Sequence, residues 1–187
     1  MHALVSLHNA IFGLVERIGD WIMPLAARFV FAATLLFYYW NSGLTKLGDG
    51  IFGIFSPSIG AYSQIFPKKL EAVGYDVSQF GIFEWAVVTA GTWAEFILPL
   101  LIVIGLGTRL ASVGMIGFIV VQSLTDVYGH GATDVKTLGA LFDRFPDGVI
   151  LDQRLFWVFT LSYLVVKGAG ALSVDAILRR REEPVLA

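Results

Sequence analysis

The chain of 187 residues is unusually apolar: 56% of its residues are hydrophobic, only 15% carry a charge, and its mean hydropathy is +0.73. A soluble domain usually has about 25% charged residues. This composition excludes an ordinary soluble fold and indicates a small protein that crosses a membrane several times. The net charge of -2 provides no basic surface for nucleic acid, so no nucleic-acid partner is expected.

The chain has no cysteine, which excludes disulfides, thiol redox relays, iron–sulfur clusters and thiolate metal sites. The three histidines are His2, His8 and His130, and none lies in the middle of an apolar stretch. A membrane haem held by histidines on two facing helices therefore has no ligands here. His130 and Asp134 have helical spacing, but two ligands do not make a metal site, so none is predicted.

The first 20 residues have apolar side chains at helical spacing and polar ones opposite them; the apolar positions include Leu4, Leu7, Ile11, Leu14 and Ile18. This pattern predicts an amphipathic helix. The helix either lies on the membrane surface or packs on another part of the protein.

Four apolar stretches follow, at residues 21–47, 82–106, 109–128 and 154–172. Each has about the ~20 residues that a helix needs to cross a bilayer. The sequence therefore predicts an all-α integral membrane protein, a bundle of four transmembrane helices in a single domain over residues 1–187.

The connections between the predicted spans differ in character. Residues 48–81 are long and rich in aromatic side chains, so we expect one or two short helices packed over the mouth of the bundle. Residues 129–153 are polar, and residues 173–187 form a charged tail. Arginines in the tail and Arg109 in the short turn after the second span favour an orientation with both termini in the cytoplasm. The rule alone does not decide, because the opposite side carries Lys46, Lys68, Lys69, Lys136, Arg144 and Arg154.

Three segments, in order along the chain, resemble the DoxX family. ARFVFAATLLFYYWNSGLTKL is similar to its first helix, AEFILPLLIVIGLGTRLAS to its second helix and turn, and KGAGALSVDAIL to its closing segment. The resemblance implies a four-helix protein of the bacterial or archaeal inner (cytoplasmic) membrane. Some relatives are membrane subunits of thiosulfate:quinone oxidoreductases, and others are linked to oxidative-stress complexes or metal-associated gene clusters. The long aromatic connection at 48–81 departs from the compact members of the family.

Ionisable residues interrupt the apolar stretches, although a charge in hydrocarbon costs at least about 2.5–3.5 kcal/mol. A quinone head group needs hydrogen-bond partners for two carbonyls and a proton path, and such residues supply both. Candidate catalytic residues are Glu95, Glu84 and Asp126. Candidate cofactor-binding residues, with quinone as the expected cofactor, are Arg28, Tyr39, Asn41, Lys46, Trp93 and Gln122. We expect Lys46, Glu84, Gln122 and Asp126 to converge near the outer leaflet and Glu95 to lie near mid-membrane.

The alternative is that these charges pair across helices and fix the bundle, with Glu95 beside Arg28 and with Lys46 beside Glu84 or Asp126. Three functions follow from these interpretations. The first is a quinone-interacting membrane subunit of an oxidoreductase or oxidative-stress system. The second is a non-enzymatic membrane anchor or assembly partner, and the third is a small proton-coupled transporter in which Glu95 is the coupling site. Beyond the lipid bilayer, a protein partner or a second copy of the chain is expected.

Overall fold

The computed structural model describes residues 1–182, and every regular element in that part of the chain is helical. The α-helices are α1 (His2–Phe31), α2 (Phe37–Lys46), α3 (Ile59–Ile65), α4 (Pro67–Ala72), α5 (Ile82–Ile104), α6 (Thr108–Leu124), α7 (Val135–Leu138), α8 (Arg154–Lys167) and α9 (Val174–Glu182). Single π-helical turns cover Ala32–Leu36, Thr125–Gly129 and Val149–Gln153, and a 3-10 turn covers Val77–Gln79. Of the predicted tail, residues 183–187 lie outside the described residues.

Four helical stretches are long and apolar enough to cross a membrane: Leu4–Lys46, Ile82–Ile104, Thr108–Gly129 and Val149–Lys167. The prediction of an all-α membrane protein with four spans is confirmed. The fourth span is displaced toward the N-terminus relative to the prediction, because Gly168 stops α8 with φ of +77°, a conformation that favours glycine.

The first span is much longer than a bilayer requires. The predicted amphipathic helix is present, but it continues through Pro24 and the π turn to Lys46 without a break. The 43 residues from Leu4 to Lys46 extend about 65 Å along the helix axis, whereas the hydrocarbon core is about 30 Å thick. The large apolar side chains between Leu4 and Ile18 are exposed, so this part of α1 extends beyond the bundle.

The spans pack in a ring in which α1 and α2 contact α5, α5 contacts α6, α6 contacts α8, and α8 returns to α1. Neighbouring spans are antiparallel because the chain crosses the bundle alternately in each direction. Their shared core is apolar and fully buried at positions such as Phe31, Tyr39, Ile102, Met115 and Leu161.

The connection after the first span covers one end of the bundle, which we call the cap end. Helices α3 and α4 pack on the first half of α5 through a small core of Ala61, Tyr62, Leu70 and Val88. This arrangement confirms the prediction of short helices in the first connection. The indole nitrogens of Trp85 and Trp93 donate to carbonyls of the same connection, at Phe55 (2.9 Å) and Ile54 (2.7 Å).

The opposite end, which we call the tail end, is closed by α9. The Asp175 carboxylate accepts hydrogen bonds from the backbone N–H groups of Gly107 (2.7 Å) and Thr108 (3.0 Å), which are free donors at the start of α6. The Asp175 N–H donates to the carbonyl of Gly105 at 2.8 Å. A single residue of α9 thereby fixes the tail to the turn between α5 and α6.

Candidate functional site

A buried ion pair joins the end of α2 to the middle of α5. Lys46 Nζ lies 3.0 Å from both carboxylate oxygens of Glu95, and the two residues are only 4% and 3% exposed. Ser42 lies one helical turn before Lys46, so both side chains are on the same face of α2. The Ser42 hydroxyl donates to Glu95 Oε1 (3.0 Å) and accepts from Lys46 Nζ (2.6 Å). The pair is therefore fixed by a third polar group.

This ion pair forms part of the wall of a cavity of about 400 Å³ between α5 and α6. Small residues on the facing helices, among them Gly91, Ala94, Gly114 and Gly117, leave the space open. Val121 also lines the cavity and is 62% exposed on the outer surface of the bundle. The polar side chains of the wall are Ser42, Lys46, Gln64, Glu95, Gln122, Thr125, Asp126 and His130.

Two tyrosines of the first span hold the amide of Gln122. The fully buried Tyr39 hydroxyl donates to Gln122 Oε1 at 3.3 Å, and Gln122 Nε2 donates to the Tyr38 hydroxyl at 3.1 Å. Neither tyrosine lines the cavity, so both act on it through Gln122. The amide is thus presented to the cavity in a fixed orientation.

A second ion pair lies where α6 and the fourth span meet at the cap end. Arg154 Nη2 donates to Asp126 Oδ2 at 2.7 Å, and Nη1 donates to the Ser123 hydroxyl at 2.8 Å. Arg154 is buried, whereas the Asp126 side chain is 29% exposed. His130 is exposed and its Nε2 lies 3.0 Å from the Gln64 carbonyl of α3. These groups place titratable side chains between the buried pair and the cap-end surface.

The structure brings four of the predicted residues to the cavity wall, namely Lys46, Glu95, Gln122 and Asp126. Glu84 is not among them, although it lies on the same helix as Glu95. The eleven-residue separation places the two carboxylates on one face of α5, as the spacing predicts, but about 16 Å apart along its axis. Glu84 accepts from the Gly81 N–H at 2.9 Å and pairs with Lys69, so it caps the start of α5.

Arg28 lies at the other end of the first span. The eighteen-residue separation of Arg28 and Lys46 places them on one face of the helix but about 27 Å apart. The Arg28 guanidinium is 6% exposed and donates to four backbone carbonyls, those of Ile102, Val103, Ala169 and Leu172, at 2.6–3.1 Å. The expected pairing of Glu95 with Arg28 is therefore wrong, because Glu95 lies beside the opposite end of that helix.

The expected pairings of Lys46 with Glu84 or Asp126 are also wrong. Lys46 forms its ion pair with Glu95, and Asp126 forms its ion pair with Arg154. The other two candidates lie away from the cavity. Asn41 is exposed on the outside of α2 and has no hydrogen-bond partner among the described residues. Trp93 packs edge-on against Phe55, with ring centroids 5.3 Å apart, and holds the first connection.

Four further polar residues of the cavity wall, Ser42, Gln64, Thr125 and His130, are not on the list predicted from sequence. Ser42 lies one turn from Lys46, and that spacing is a signal that the sequence does contain. Gln64 and His130 have no such signal, because they meet only when the first connection folds over the cap end. Among residues 1–182, no three His, Asp or Glu side chains lie close enough together to hold a metal ion. The cavity therefore offers hydrogen-bonding and proton-exchanging groups to a ligand.

Comparison with known proteins identifies the family. A family model described as DoxX matches residues 23–125, which is more than half of the chain and includes Lys46, Glu95 and Gln122. His130 and Arg154 lie beyond the matched region. No curated protein and no solved structure matches the chain. The extent of the family match, with four membrane-spanning helices, shows that this chain is a multi-pass membrane protein that belongs to the DoxX family.

Proposed function

We propose that this protein binds a quinone head group in the cavity between α5 and α6 and serves as a membrane subunit of an oxidoreductase or oxidative-stress system. The observation that supports this most is the buried Lys46–Glu95 pair in the cavity wall. Two charges in a membrane protein interior are costly to desolvate, and intramembrane charges mark functional sites more often than surface charges do.

The cavity has suitable size and access for such a ligand. Its volume of about 400 Å³ is within the range of small-molecule sites, about 300–1,000 Å³. The exposure of Val121 in the wall indicates a lateral opening toward lipid, which suits a ligand that is dissolved in the bilayer. An isoprenoid tail would remain among the lipid chains while the head group enters.

The polar wall suits the two carbonyl oxygens of a quinone. Lys46 Nζ and Gln122 Nε2 are donors, and Glu95 is a carboxylate next to the lysine donor. Reduction of a quinone to a quinol consumes two electrons and two protons. In this proposal, a partner subunit supplies the electrons, and protons reach the head group from the Lys46–Glu95 pair. Asp126 and His130 line the same cavity toward the cap-end surface and replenish these protons.

The proposal includes a location and partners. The protein would lie in a bacterial or archaeal cytoplasmic membrane with both termini in the cytoplasm. There it would join an electron-donating protein or form a homo-oligomer. The tail-end location of Arg109 and Arg179 supports this orientation through the bias of basic residues toward the cytoplasmic side.

The test is mass spectrometry of organic extracts from protein purified in mild detergent from membranes that contain quinone. Near-stoichiometric quinone is expected with the natural sequence and a loss of about tenfold or more in Glu95→Gln. Because Glu95→Gln leaves the Lys46 ammonium unpaired, the neutral pair Lys46→Met with Glu95→Gln is measured as well. Glu84→Gln is the matched control, since it changes the same side chain on the same helix outside the cavity, and we expect it to retain quinone.

Several outcomes would contradict the proposal. Quinone no more enriched than in an unrelated membrane protein would favour a membrane anchor or assembly partner. Substrate flux coupled to protons in liposomes, abolished by Glu95→Gln, would favour a transporter. Equal loss of quinone in Glu84→Gln and Glu95→Gln would show that the ligand is not held in this cavity.

A further inference from the structure

A second polar cavity, of about 470 Å³, lies at the tail end of the bundle. The start of α6, the end of α8 and the helix α9 enclose it. Three cationic side chains line it, one from each of these helices: Arg109, Lys167 and Arg179. Of the residues that the structure describes, Asp175 is the single acidic one in its wall, so these residues give the cavity a positive net charge.

Among the described residues, few partners balance the positive charges of this cavity. Within the described part of the chain, Arg109 has no hydrogen bond or ion pair, and Arg179 makes a single long bond from Nε to the Asp175 carbonyl (3.4 Å). Lys167 pairs with Asp20 at 2.9 Å, but both side chains are well exposed, at 48% and 72%. The Asp175 carboxylate already occupies the free N–H groups at the start of α6. An anion here must therefore be held by the three cationic side chains.

The level of this cavity relative to the bilayer indicates that its ligand is a lipid. Arg109 lies in the first turn of α6 and Lys167 is the last residue of α8, so both are at the ends of membrane spans. Lipid headgroups lie at this level of a bilayer. Two exposed leucines line the same cavity, Leu110 at 81% and Leu178 at 44% exposure. Apolar side chains beside a basic cluster suit a ligand that has an acyl chain as well as a negative charge.

We propose that this cavity binds the phosphodiester headgroup of an anionic phospholipid. Arg109 and Arg179 are the principal donors to the phosphate, because guanidinium groups bind phosphate oxygens in a fixed, two-pronged geometry. Leu110 packs on the start of an acyl chain. The bound lipid bridges α6, α8 and α9 and so links the charged tail to the bundle.

The experiment is native mass spectrometry of the full-length protein in detergent, titrated with phosphatidylglycerol or with phosphatidylcholine of the same acyl chains. We expect preferential retention of phosphatidylglycerol by the natural sequence. The double variant Arg109→Gln with Arg179→Gln is expected to weaken phosphatidylglycerol binding by about tenfold or more, since each basic residue near a membrane surface contributes to the attraction of anionic lipid. Neither side chain is part of the buried core, so the variant is expected to fold.

Two further variants test whether the lipid preference depends on the site and on its charge. Lys136→Gln with Arg144→Gln removes two exposed cations at the cap end and is expected to leave the preference intact. Arg109→Lys with Arg179→Lys keeps the charge and is expected to bind better than the glutamine variant. The proposal is wrong if the protein does not distinguish the two lipids, or if the cap-end variant loses the preference equally. Complete competition by millimolar inorganic phosphate would instead indicate a site for a soluble anion.

Discussion

The first span carries two buried cations, and their surroundings differ. At the tail end, Arg28 donates to four carbonyls that belong to the last turn of α5 and the segment after α8. At the cap end, Lys46 donates to a carboxylate and to Ser42. The hydrogen-bond acceptors of Arg28 are all backbone carbonyls, whereas Lys46 and Glu95 line a cavity.

The comparison separates a structural cation from a candidate functional one. The carbonyls at helix ends have no partners within their own helix, so a guanidinium with five N–H groups satisfies several of them at once. Gly105 makes room for this arrangement: it has φ of +73°, and a Cβ there would lie 3.0 Å from the Arg28 guanidinium carbon. The Lys46–Glu95 pair satisfies no carbonyl at an end of α5 and lies in the cavity wall, which makes it the candidate functional charge.

The largest effect is predicted for Arg28→Lys. A lysine ammonium is a compact charge with three N–H donors, so at least one of the four carbonyls would lose its side-chain donor. We expect a loss of about 3 kcal/mol in the free energy of unfolding. Denaturant unfolding in detergent micelles, followed by tryptophan fluorescence, measures it.

Arg109→Lys is the matched control for Arg28→Lys, because it makes the same change at the tail end on an exposed side chain. We expect no measurable change in stability from it. Equal stability of Arg28→Lys and the natural sequence would show that the carbonyl contacts do not stabilise the tail end. Arg28 would then not be a structural cation in contrast to Lys46.

A loss smaller than at Arg28 is predicted for Lys46→Met, below the about 3–5 kcal/mol that removal of one partner of a buried ion pair typically costs. The cost is lower than at Arg28 because Glu95 can take up a proton when its partner is removed, whereas carbonyls cannot adjust. Adding Glu95→Gln to Lys46→Met is expected to restore most of the lost stability while quinone retention stays low. Denaturant unfolding measures the stability of the double variant, and mass spectrometry of its organic extract measures the quinone that it retains.

Recovery of stability in the double variant would distinguish the Lys46–Glu95 pair from Arg28. No single further substitution could restore the loss at Arg28, because the acceptors there are four backbone carbonyls. If the double variant were less stable than Lys46→Met alone, the pair would be a structural element like Arg28. Its location in the cavity wall would then carry no functional meaning.

The fold was largely predictable, because membrane spans follow from apolar length alone. The four spans, the helical first connection and the turn at Gly105 all have local signals in the sequence. The continuity of α1 into α2 was not predicted. The polar face of residues 1–20 is typical of a helix on the membrane surface, and a proline such as Pro24 is typical of the first turn of a new helix. The backbone nevertheless forms one continuous helix through residues 1–20 and Pro24.

The site was predictable only in part, because helical periodicity gives the face of a residue but not its neighbour across the bundle. Lys46, Glu95, Gln122 and Asp126 were identified as polar residues within spans, and they share one cavity. Their pairing depends on how far each helix extends past its neighbour. Helix α5 begins well before the level of Lys46 and packs on α3, so Glu95 rather than Glu84 meets Lys46.

At the tail end, a pH effect of about 1 kcal/mol is predicted from the cap that Asp175 forms on α6. Partial burial raises the pKa of Asp175, but the backbone N–H groups of Thr108 and Gly107 outweigh this and hold the pKa below its usual range. A lowered pKa in the folded state means that the cap stabilises fully at neutral pH. Its contribution disappears as the pH falls below about 4 toward the lowered pKa.

Asp175→Ala should therefore destabilise the protein at pH 7, and its effect should shrink as the pH falls through the lowered pKa of Asp175. Unfolding midpoints of the two proteins across this pH range measure the difference. Asp134→Ala removes a comparable side-chain cap from the exposed helix α7 at the cap end and is expected to leave the midpoint unchanged. A difference between Asp175→Ala and the natural sequence that did not depend on pH would show that the charge of the carboxylate is unimportant.

The smallest effect on stability, about 0.5 kcal/mol, is predicted for Tyr39→Phe, because the hydrogen bond it removes is long, at 3.3 Å. Its effect on ligand retention is expected to be larger than its effect on stability, since Gln122 would lose the donor that fixes its carbonyl side. Tyr38→Phe is the control: it removes the acceptor of Gln122 Nε2 and should free that donor for a ligand. Opposite changes in quinone retention in Tyr39→Phe and Tyr38→Phe would show that the orientation of the Gln122 amide controls ligand binding at the cap end. Identical behaviour of the two variants would mean that the orientation of the Gln122 amide does not matter, and the contrast between the two ends would then rest on the ion pair alone.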